Sequence, residues 1–274
     1  MSTLPTEIVD HIFSFLDVLS HSEYNDLKAC AEAHPFLLKS AERYLFSDIR
    51  LHSEPFTNGR AFNCSQFSDV LRNKPHVANY VYALGLDLGA HGLDWNLKDM
   101  LFIMSKLPRP KTIEIKADPF LRWSTLSKPF CEAFMNCLGL PSITKVSIVQ
   151  TIDFPMITFG QCKGLVELSL DGIFDFSSSI STEPHPRLKS LSIYHWSCMF
   201  PNIITWANAL NLRRLDVCVP TNDSNLARLS DLFQVCSAIT DLELDFQDKC
   251  TFSHSLIVLV FTPVFSRPYT LSPL

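Results

Sequence analysis

The side chains best suited to catalysis or metal binding are scattered along this chain of 274 residues. It contains neither a His-Glu-x-x-His nor a Gly-x-Ser-x-Gly motif, and no set of Cys and His residues has zinc-binding spacing. His11 falls on the polar side of a predicted helix, and His185 stands between two prolines in a predicted loop. We therefore expect no catalytic residue, no metal and no cofactor.

The nine cysteines carry the most nucleophilic side chains, and their distribution indicates unreactive thiols. They are odd in number and form no Cys-x-x-Cys pair, which is typical of reduced cysteines in the cytoplasm or nucleus. A cysteine nucleophile stays open as an alternative, because the members of a catalytic triad need not be close in sequence. Cys218 and Cys236, however, fall in apolar periodic segments, where thiols are usually buried and inert. The sequence thus predicts a protein that is not an enzyme.

The charge and hydropathy of the chain argue against two further classes of function. A net charge of −5 and an isoelectric point near 6.0, with no dense run of Lys and Arg, predict binding neither to nucleic acid nor to an anionic membrane. The longest apolar run, Leu256 to Phe265, is much shorter than the ~20 residues of a membrane-spanning helix and contains Pro263. Because the first residues also lack the pattern of a secretory signal, we expect a cytoplasmic or nuclear protein.

Binding is then the function to look for, and the first sixteen residues predict a helix suited to it. Pro5 fits the first helical turn, and Glu7 lies near the positive end of the helix dipole. Apolar residues recur at helical spacing along one face: Ile8, Ile12, Phe15 and Leu16. Such a face buries either against a partner or, in an ordinary amphipathic helix, against the protein's own core.

This opening resembles the F-box, which begins with Leu-Pro, an acidic residue, an aliphatic residue and an aliphatic-aromatic run ending in Leu. The matching residues here are Leu4, Pro5, Glu7, Ile8, Ile12, Phe13 and Leu16. The resemblance continues through residues 27–30 and 40–51. Residues 31–37 depart from the family pattern, and Phe36 or Leu37 is expected where many members have Trp. The resemblance implies a three-helix F-box over residues 1–52.

An F-box implies a role as substrate receptor in an SCF-type cullin-RING ubiquitin ligase, where it binds the Skp-type adaptor. Carried over by position, the adaptor-binding residues are Leu4, Pro5, Ile8, Ile12, Phe15, Leu16 and Leu27. The alternative is a non-ligase scaffold whose N-terminal helices only cap the first repeat described below. In that case Ile8, Ile12 and Leu16 would pack onto Val81, Leu84 and Leu86, whereas a docking module would leave them outward.

A six-residue frame, aliphatic-x-x-aliphatic-x-aliphatic, recurs in the second part of the chain. Its five clear copies begin at residues 143, 165, 188, 212 and 239, which are 22, 23, 24 and 27 residues apart. That spacing is typical of leucine-rich repeats. Two weaker units precede them, at Val81-Leu84-Leu86 and Ile113-Ile115. A doubly wound α/β fold is the alternative, but it does not explain the recurring frame.

Each frame predicts a short strand, and each intervening segment a helix or turn that returns along the other side. The sequence therefore predicts an α+β protein, in which an irregular α/β leucine-rich-repeat solenoid over residues 53–249 follows the three-helix F-box. Helical spacing is evident over residues 97–104, 126–140 and 226–239.

Side chains that alternate with the buried aliphatic residues should share one open face of the strands. Acidic residues accumulate there toward the C-terminus, and we expect this face to bind an unidentified protein substrate with a basic segment. The candidate substrate-binding residues are Glu167, Asp171, Tyr194, Asp216, Asp241, Glu243 and Asp245. The alternative is a solvated charged face that has no partner.

Residues 250–274 form an atypical apolar tail. Residues 256–261 have no polar alternation, and prolines follow at 263, 268 and 273. The segment either adds an edge strand or lies outside the fold, and the prolines favour a poorly ordered segment. A truncated, nonfunctional family member is a further alternative, which predicts aggregation and poor expression.

Overall fold

A computed structural model of the chain describes residues 5–15, 21–52, 61–89, 97–175, 188–194, 212–220, 240–247 and 255–260. Within these ranges the protein is a mixed α/β structure, in which six helices accompany mostly parallel strands. The chain forms two compact units, residues 1–187 (unit 1) and residues 188–274 (unit 2). The coarse prediction of a protein with both helices and strands is therefore confirmed.

Unit 1 begins with three helices: α1 Thr6–Ser14, α2 His21–Ala33 and α3 Pro35–Leu45. The start of α3 follows from local sequence, because Pro35 has the backbone angle of a first helical residue and His34 Nδ1 accepts a hydrogen bond from the Phe36 N–H at 3.1 Å. The three helices share a core of Val9, Phe13, Leu27, Ala41 and Leu45. Phe36 and Leu37 pack against its edge and are partly buried.

Six parallel strands follow in unit 1, in the spatial order β2-β1-β3-β4-β5-β6. Their ranges are β1 Asp48–His52, β2 Ala61–Asn63, β3 Ala83–Gly89, β4 Thr112–Arg122, β5 Lys145–Pro155 and β6 Glu167–Asp175. The connections contain α4 Cys64–Asn73, α5 Leu97–Lys106, α6 Lys128–Leu138 and 3-10 turns at Pro75–Asn79, Trp123–Thr125 and Met156–Gln161. The predicted helical segments 97–104 and 126–140 correspond to α5 and α6.

The aliphatic frames stack in register across these strands. Ile49, Leu84, Ile113, Val146 and Leu168 form one row of paired positions, and the residues two further along each strand form the next. All of these side chains are buried. The strand predicted at each described frame of unit 1 is thus confirmed. A further segment of similar form, Phe46-x-x-Ile49-x-Leu51, which the resemblance places at the end of the F-box, leads into β1 of this sheet.

Backbone hydrogen bonds repeat with the same period. The carbonyl just before a strand accepts two N–H groups from the start of the parallel strand beside it, at 2.7 to 3.0 Å; in unit 1 these carbonyls belong to Ser47, Tyr82, Lys111 and Thr144. Lys189 and Arg213 do the same in unit 2 at 2.8 to 3.0 Å. Strands β3 to β6, β8 and β9 therefore begin in the same geometry, which is what a structural repeat requires.

The C-terminal end of β5 is irregular. Gln150 and Asp153 have positive φ values of 56° and 57°, and the pairing with β6 shifts register at both places. Gly172 of β6 has a φ of 154°, and a Cβ there would collide with the carbonyl of Thr151. Glycine is therefore needed where β6 passes this bulge.

Unit 2 contains β7 Ser190–Ile193, β8 Arg214–Pro220 and β9 Asp241–Gln247, which pair in parallel, and β10 Ser255–Val260, which is antiparallel to β9. For residues 255–260 the structure thus has the edge strand instead of the poorly ordered segment that the prolines favoured. Without β10, the edge of β9 would leave backbone groups unpaired. The prolines come after β10 in the sequence and so do not interrupt it. The rest of the tail and the helix predicted at 226–239 lie outside the described residues.

Candidate interaction surfaces

The outer face of α1 exposes three large apolar side chains. Ile8 is 45% exposed, Ile12 51% and Phe15 74%. Their spacing of four and three residues places them along one side of the helix. Val9 and Phe13, which face the other helices, are only 3% and 5% exposed. We call Ile8, Ile12 and Phe15 the α1 surface.

Polar contacts to α3 fix the rotation of α1 about its axis. Arg43 Nη1 lies 2.8 Å from Asp10 Oδ2, and the Tyr44 hydroxyl donates a hydrogen bond to the Asp10 carbonyl at 2.8 Å. The rings of Phe13 and Tyr44 pack edge to face with centroids 5.9 Å apart. Burial, assisted by the charge of Asp10, raises the pKa of Tyr44, so its hydroxyl keeps the proton that it donates. The outward direction of the α1 surface is therefore built into the fold.

The predicted adaptor-binding residues divide into two groups. Pro5, Ile8, Ile12 and Phe15 are exposed. Leu27 is 0% exposed in the helical core, so its predicted adaptor contact is replaced by a packing role. The reason is that α2 turns this side chain toward Val9 and Phe13, an orientation that its sequence position does not reveal. Leu4 and Leu16 lie outside the described residues.

The strand face of unit 1 carries ionisable side chains that lie against one another. Arg50 Nη2 lies 3.2 Å from Glu114 Oε2, His52 Nδ1 lies 3.1 Å from Asp87 Oδ2, and Lys145 Nζ lies 3.0 Å from Glu167 Oε2; we call these residues the unit 1 strand face. Arg50 reaches Glu114 across Gly85, where an added Cβ would lie 3.2 Å from Arg50 Cγ. Burial lowers the pKa of His52, although Asp87 opposes this effect.

The strand face of unit 2 is arranged around Arg214. Its guanidinium lies 3.1 Å from Asp216 Oδ1 and 3.2 Å from Glu243 Oε2. The hydrogen bond to Asp216 is the main cause that raises the pKa of Arg214, and the negative charges of Asp216 and Glu243 raise it further. Ser192 Oγ donates to Asp216 Oδ2 at 2.8 Å. Tyr194, the residue directly after β7, is exposed.

The predicted substrate-binding residues therefore have different surroundings. Glu167, Asp216 and Glu243 already have cationic partners, which the sequence count of acidic side chains did not anticipate. Asp171 is half-buried, and Asp241 is exposed and accepts a hydrogen bond from Thr240 Oγ1 at 3.0 Å. The side chain of Asp245 lies outside the described residues.

Three of the described cysteines, Cys64, Cys137 and Cys162, are buried in the environment of structural thiols. Burial raises the pKa of Cys64 and Cys162 to about 12 and that of Cys137 to about 11, so all three are protonated near neutral pH and poorly nucleophilic. In the described part of the chain, no three His, Cys, Asp or Glu side chains are grouped so that they could hold a metal ion. No helix in that part has the length and hydropathy to cross a membrane. The side chains of Cys218 and Cys236 lie outside it.

Comparison with known proteins found no match to a protein-family model and none to a curated protein.

Proposed function

We propose that this protein is the substrate-recognition subunit of an SCF-type ubiquitin ligase, in which α1–α3 form an F-box and the strand units form leucine-rich repeats. The observation that carries the proposal is the α1 surface. Its three apolar side chains face solvent while the opposite side of the same helix is buried in the core. Large apolar groups clustered in this way mark an interaction site more often than single exposed ones.

The size and type of these side chains support docking on a mainly apolar partner. Isoleucine and phenylalanine release substantial free energy on burial, about 25 cal/mol per Å² of apolar area. Phe15, the most exposed of the three, has the character of an anchor residue that fills a pocket on the partner. A Skp-type adaptor is the partner implied by the resemblance of Leu4, Pro5 and the following helix to the F-box opening.

The strand units support the second half of the proposal. Their stacked aliphatic rows and repeated backbone geometry are what leucine-rich repeats require. Substrate binding is assigned to the strand faces because side chains from successive repeats project there together. Asp241 and Tyr194 are the exposed members of the predicted set in unit 2, and they suit a substrate that presents a basic segment.

The alternative is a non-ligase scaffold in which the helices belong to the repeat structure as its cap. Two observations favour it: β1 joins the sheet directly after α3, and Glu42 of α3 is bound to Lys74 and His76 beyond β2. However, a cap that uses α1 would bury Ile8 and Ile12 on the first repeat, and both are exposed.

Co-purification of the full chain with a Skp-type adaptor tests the proposal. We expect the wild type to retain the adaptor and the double variant Ile8→Ala/Ile12→Ala to lose it, because both substitutions remove exposed apolar area without opening the core. Glu7→Gln is the matched control, since Glu7 is exposed on the same helix and outside the α1 surface. Failure of the folded wild type to bind the adaptor would favour the scaffold.

A further inference from the structure

A buried carboxylate connects the helical part of unit 1 to its strands. Glu42 lies in the last turn of α3, and only 6% of its side chain is exposed. Its Oε1 accepts a hydrogen bond from Lys74 Nζ at 2.7 Å, and its Oε2 lies 3.0 Å from His76 Nε2. Both oxygens are thus engaged by residues that follow 32 and 34 positions later in the chain. We call these three residues the Glu42 triad.

The two basic residues lie at a packed junction between α4 and the 3-10 turn Pro75–Asn79. Lys74 is the C-cap of α4, and its backbone N–H donates to the Val70 carbonyl at 2.7 Å. His76 packs edge to face on Tyr80, with ring centroids 5.8 Å apart. The next residue, Val77, is buried. The carboxylate of Glu42 is therefore bound by the connection between β2 and β3, which contains α4 and this 3-10 turn.

The two residues after Glu42 contact α1, on the other side of α3 from the Glu42 triad. Arg43 pairs with Asp10 of α1, and Tyr44 donates a hydrogen bond to the Asp10 carbonyl. Successive side chains of a helix point about 100° apart, so one turn of α3 can hold two different elements. Here the same turn holds α1 on one side and the junction after α4 on the other.

We propose that Glu42 is a positioning residue that fixes the angle between the helices α1–α3 and the strands of unit 1. The covalent link from α3 to β1 is only Phe46 and Ser47, and the Glu42 triad adds a side-chain contact between α3 and the segment after α4. Removing Lys74 and His76 leaves the buried Glu42 carboxylate uncompensated, and replacing Glu42 removes the acceptor that both basic side chains share. The inference concerns the direction of the α1 surface and holds whichever protein covers that surface.

Distance measurement between two spin labels in the full chain tests this role. The labels are attached to noncanonical amino acids at Glu7 and Asn136, both exposed, so that the nine cysteines stay unmodified. We expect a single narrow distance distribution for the wild type and a broader or double one for Glu42→Gln. The exposed partners supply a second variant, Lys74→Met/His76→Phe, which should broaden the distribution while leaving the core residues in place. Glu167→Gln, in the exposed pair with Lys145, is the matched control.

Hydrogen exchange on the same variants separates a loosened joint from general unfolding. The amides of Phe46 and Lys74 should lose protection by about tenfold in Glu42→Gln, because their acceptors lie in the turns joined by the triad. The amide of Gly139, bonded to the Met135 carbonyl at 3.0 Å in α6, should not change. Unchanged distance distributions in both variants would overturn the proposal. So would broadening in Glu42→Gln alone, or equal loss of protection at Gly139, because either would mean that the triad does not set the angle.

Discussion

The α1 surface and the unit 1 strand face differ in whether their side chains have partners within the protein. On the strand face, Arg50, His52 and Lys145 each pair with a carboxylate on a neighbouring strand or one strand beyond it. On α1, Ile8, Ile12 and Phe15 are left facing water. Exposed ion pairs gain little from a partner that must first desolvate them, whereas covering apolar area releases free energy directly. Of these two surfaces, the α1 surface therefore has more to gain from binding a partner.

The largest expected effect separates the two faces of α1 itself. Phe13→Ala should lower the free energy of unfolding by about 3 to 5 kcal/mol, because it empties a buried position between the helices. Phe15→Ala should change it by about 0.5 kcal/mol or less, because its ring is already in water. Guanidinium unfolding of the two variants measures both values. Equal destabilisation by the two substitutions would mean that the α1 surface is part of the core.

The contribution of buried carboxylates to stability should depend on pH, whereas that of the uncharged α1 surface should not. Burial raises the pKa of Glu42 and of Asp99, but hydrogen bonds from Lys74 and His76 to the first, and from Ser68 and Arg72 to the second, outweigh it and leave both pKa values lowered. A carboxyl group whose pKa is lowered in the folded protein contributes stability at pH values above its ordinary pKa. It loses that contribution as the pH falls through its pKa in the folded protein. The free energy of unfolding should therefore decrease as the pH falls below the ordinary pKa values, which are 4.5 for Glu42 and 3.8 for Asp99.

Unfolding measured between neutral pH and pH 3 in the wild type and in Glu42→Gln checks this prediction. The variant should be less stable at neutral pH and should lose less stability on acidification. The same pH dependence in both proteins would contradict the assignment of Glu42 as an ionised, paired group.

The smallest expected effect concerns the strand face. A double-mutant cycle of Arg50→Met and Glu114→Gln should give a coupling free energy of about 0.2 to 1 kcal/mol, the range of exposed ion pairs. The value should decrease in high salt, because salt screens exposed charges. A coupling several times larger that persists in salt would show that this face is more buried than the comparison assumes. Urea unfolding of the four proteins at two ionic strengths provides the data.

The strands were predictable because their signal is local and periodic. The frames at residues 143 and 165, and the weaker units at Val81 and Ile113, each lead to a strand in the expected register. The segment Phe46-x-x-Ile49-x-Leu51 has a similar form with an aromatic first residue, but residues 44–51 also resemble the end of the F-box, so the sequence alone does not decide between the two. The sequence pattern fits both a repeat strand and the end of an F-box. Only the pairing of Ile49 with Leu84 in the structure shows that the segment is a strand of this sheet.

The partners of individual side chains were less predictable because they depend on distant parts of the chain. Leu27 is buried in a core to which α1 contributes Val9 and Phe13 and α3 contributes Ala41 and Leu45, so its burial depends on residues distant in the sequence. The cationic partners of Glu167 and Glu243 come from neighbouring strands, and Glu42 finds Lys74 and His76 far along the sequence. For residues 255–260, apolar composition outweighed the nearby prolines because β9 offers a free edge.

The central claim is that the α1 surface binds a Skp-type adaptor. Its most direct test is the equilibrium affinity of the adaptor for the full-length wild type and for Phe15→Ala, measured by calorimetry beside the unfolding free energies of the same samples. We predict a loss of affinity of about tenfold or more with unchanged stability, which is the behaviour of an exposed anchor residue. An equal affinity in the two proteins, or no binding by the folded wild type, would contradict the claim.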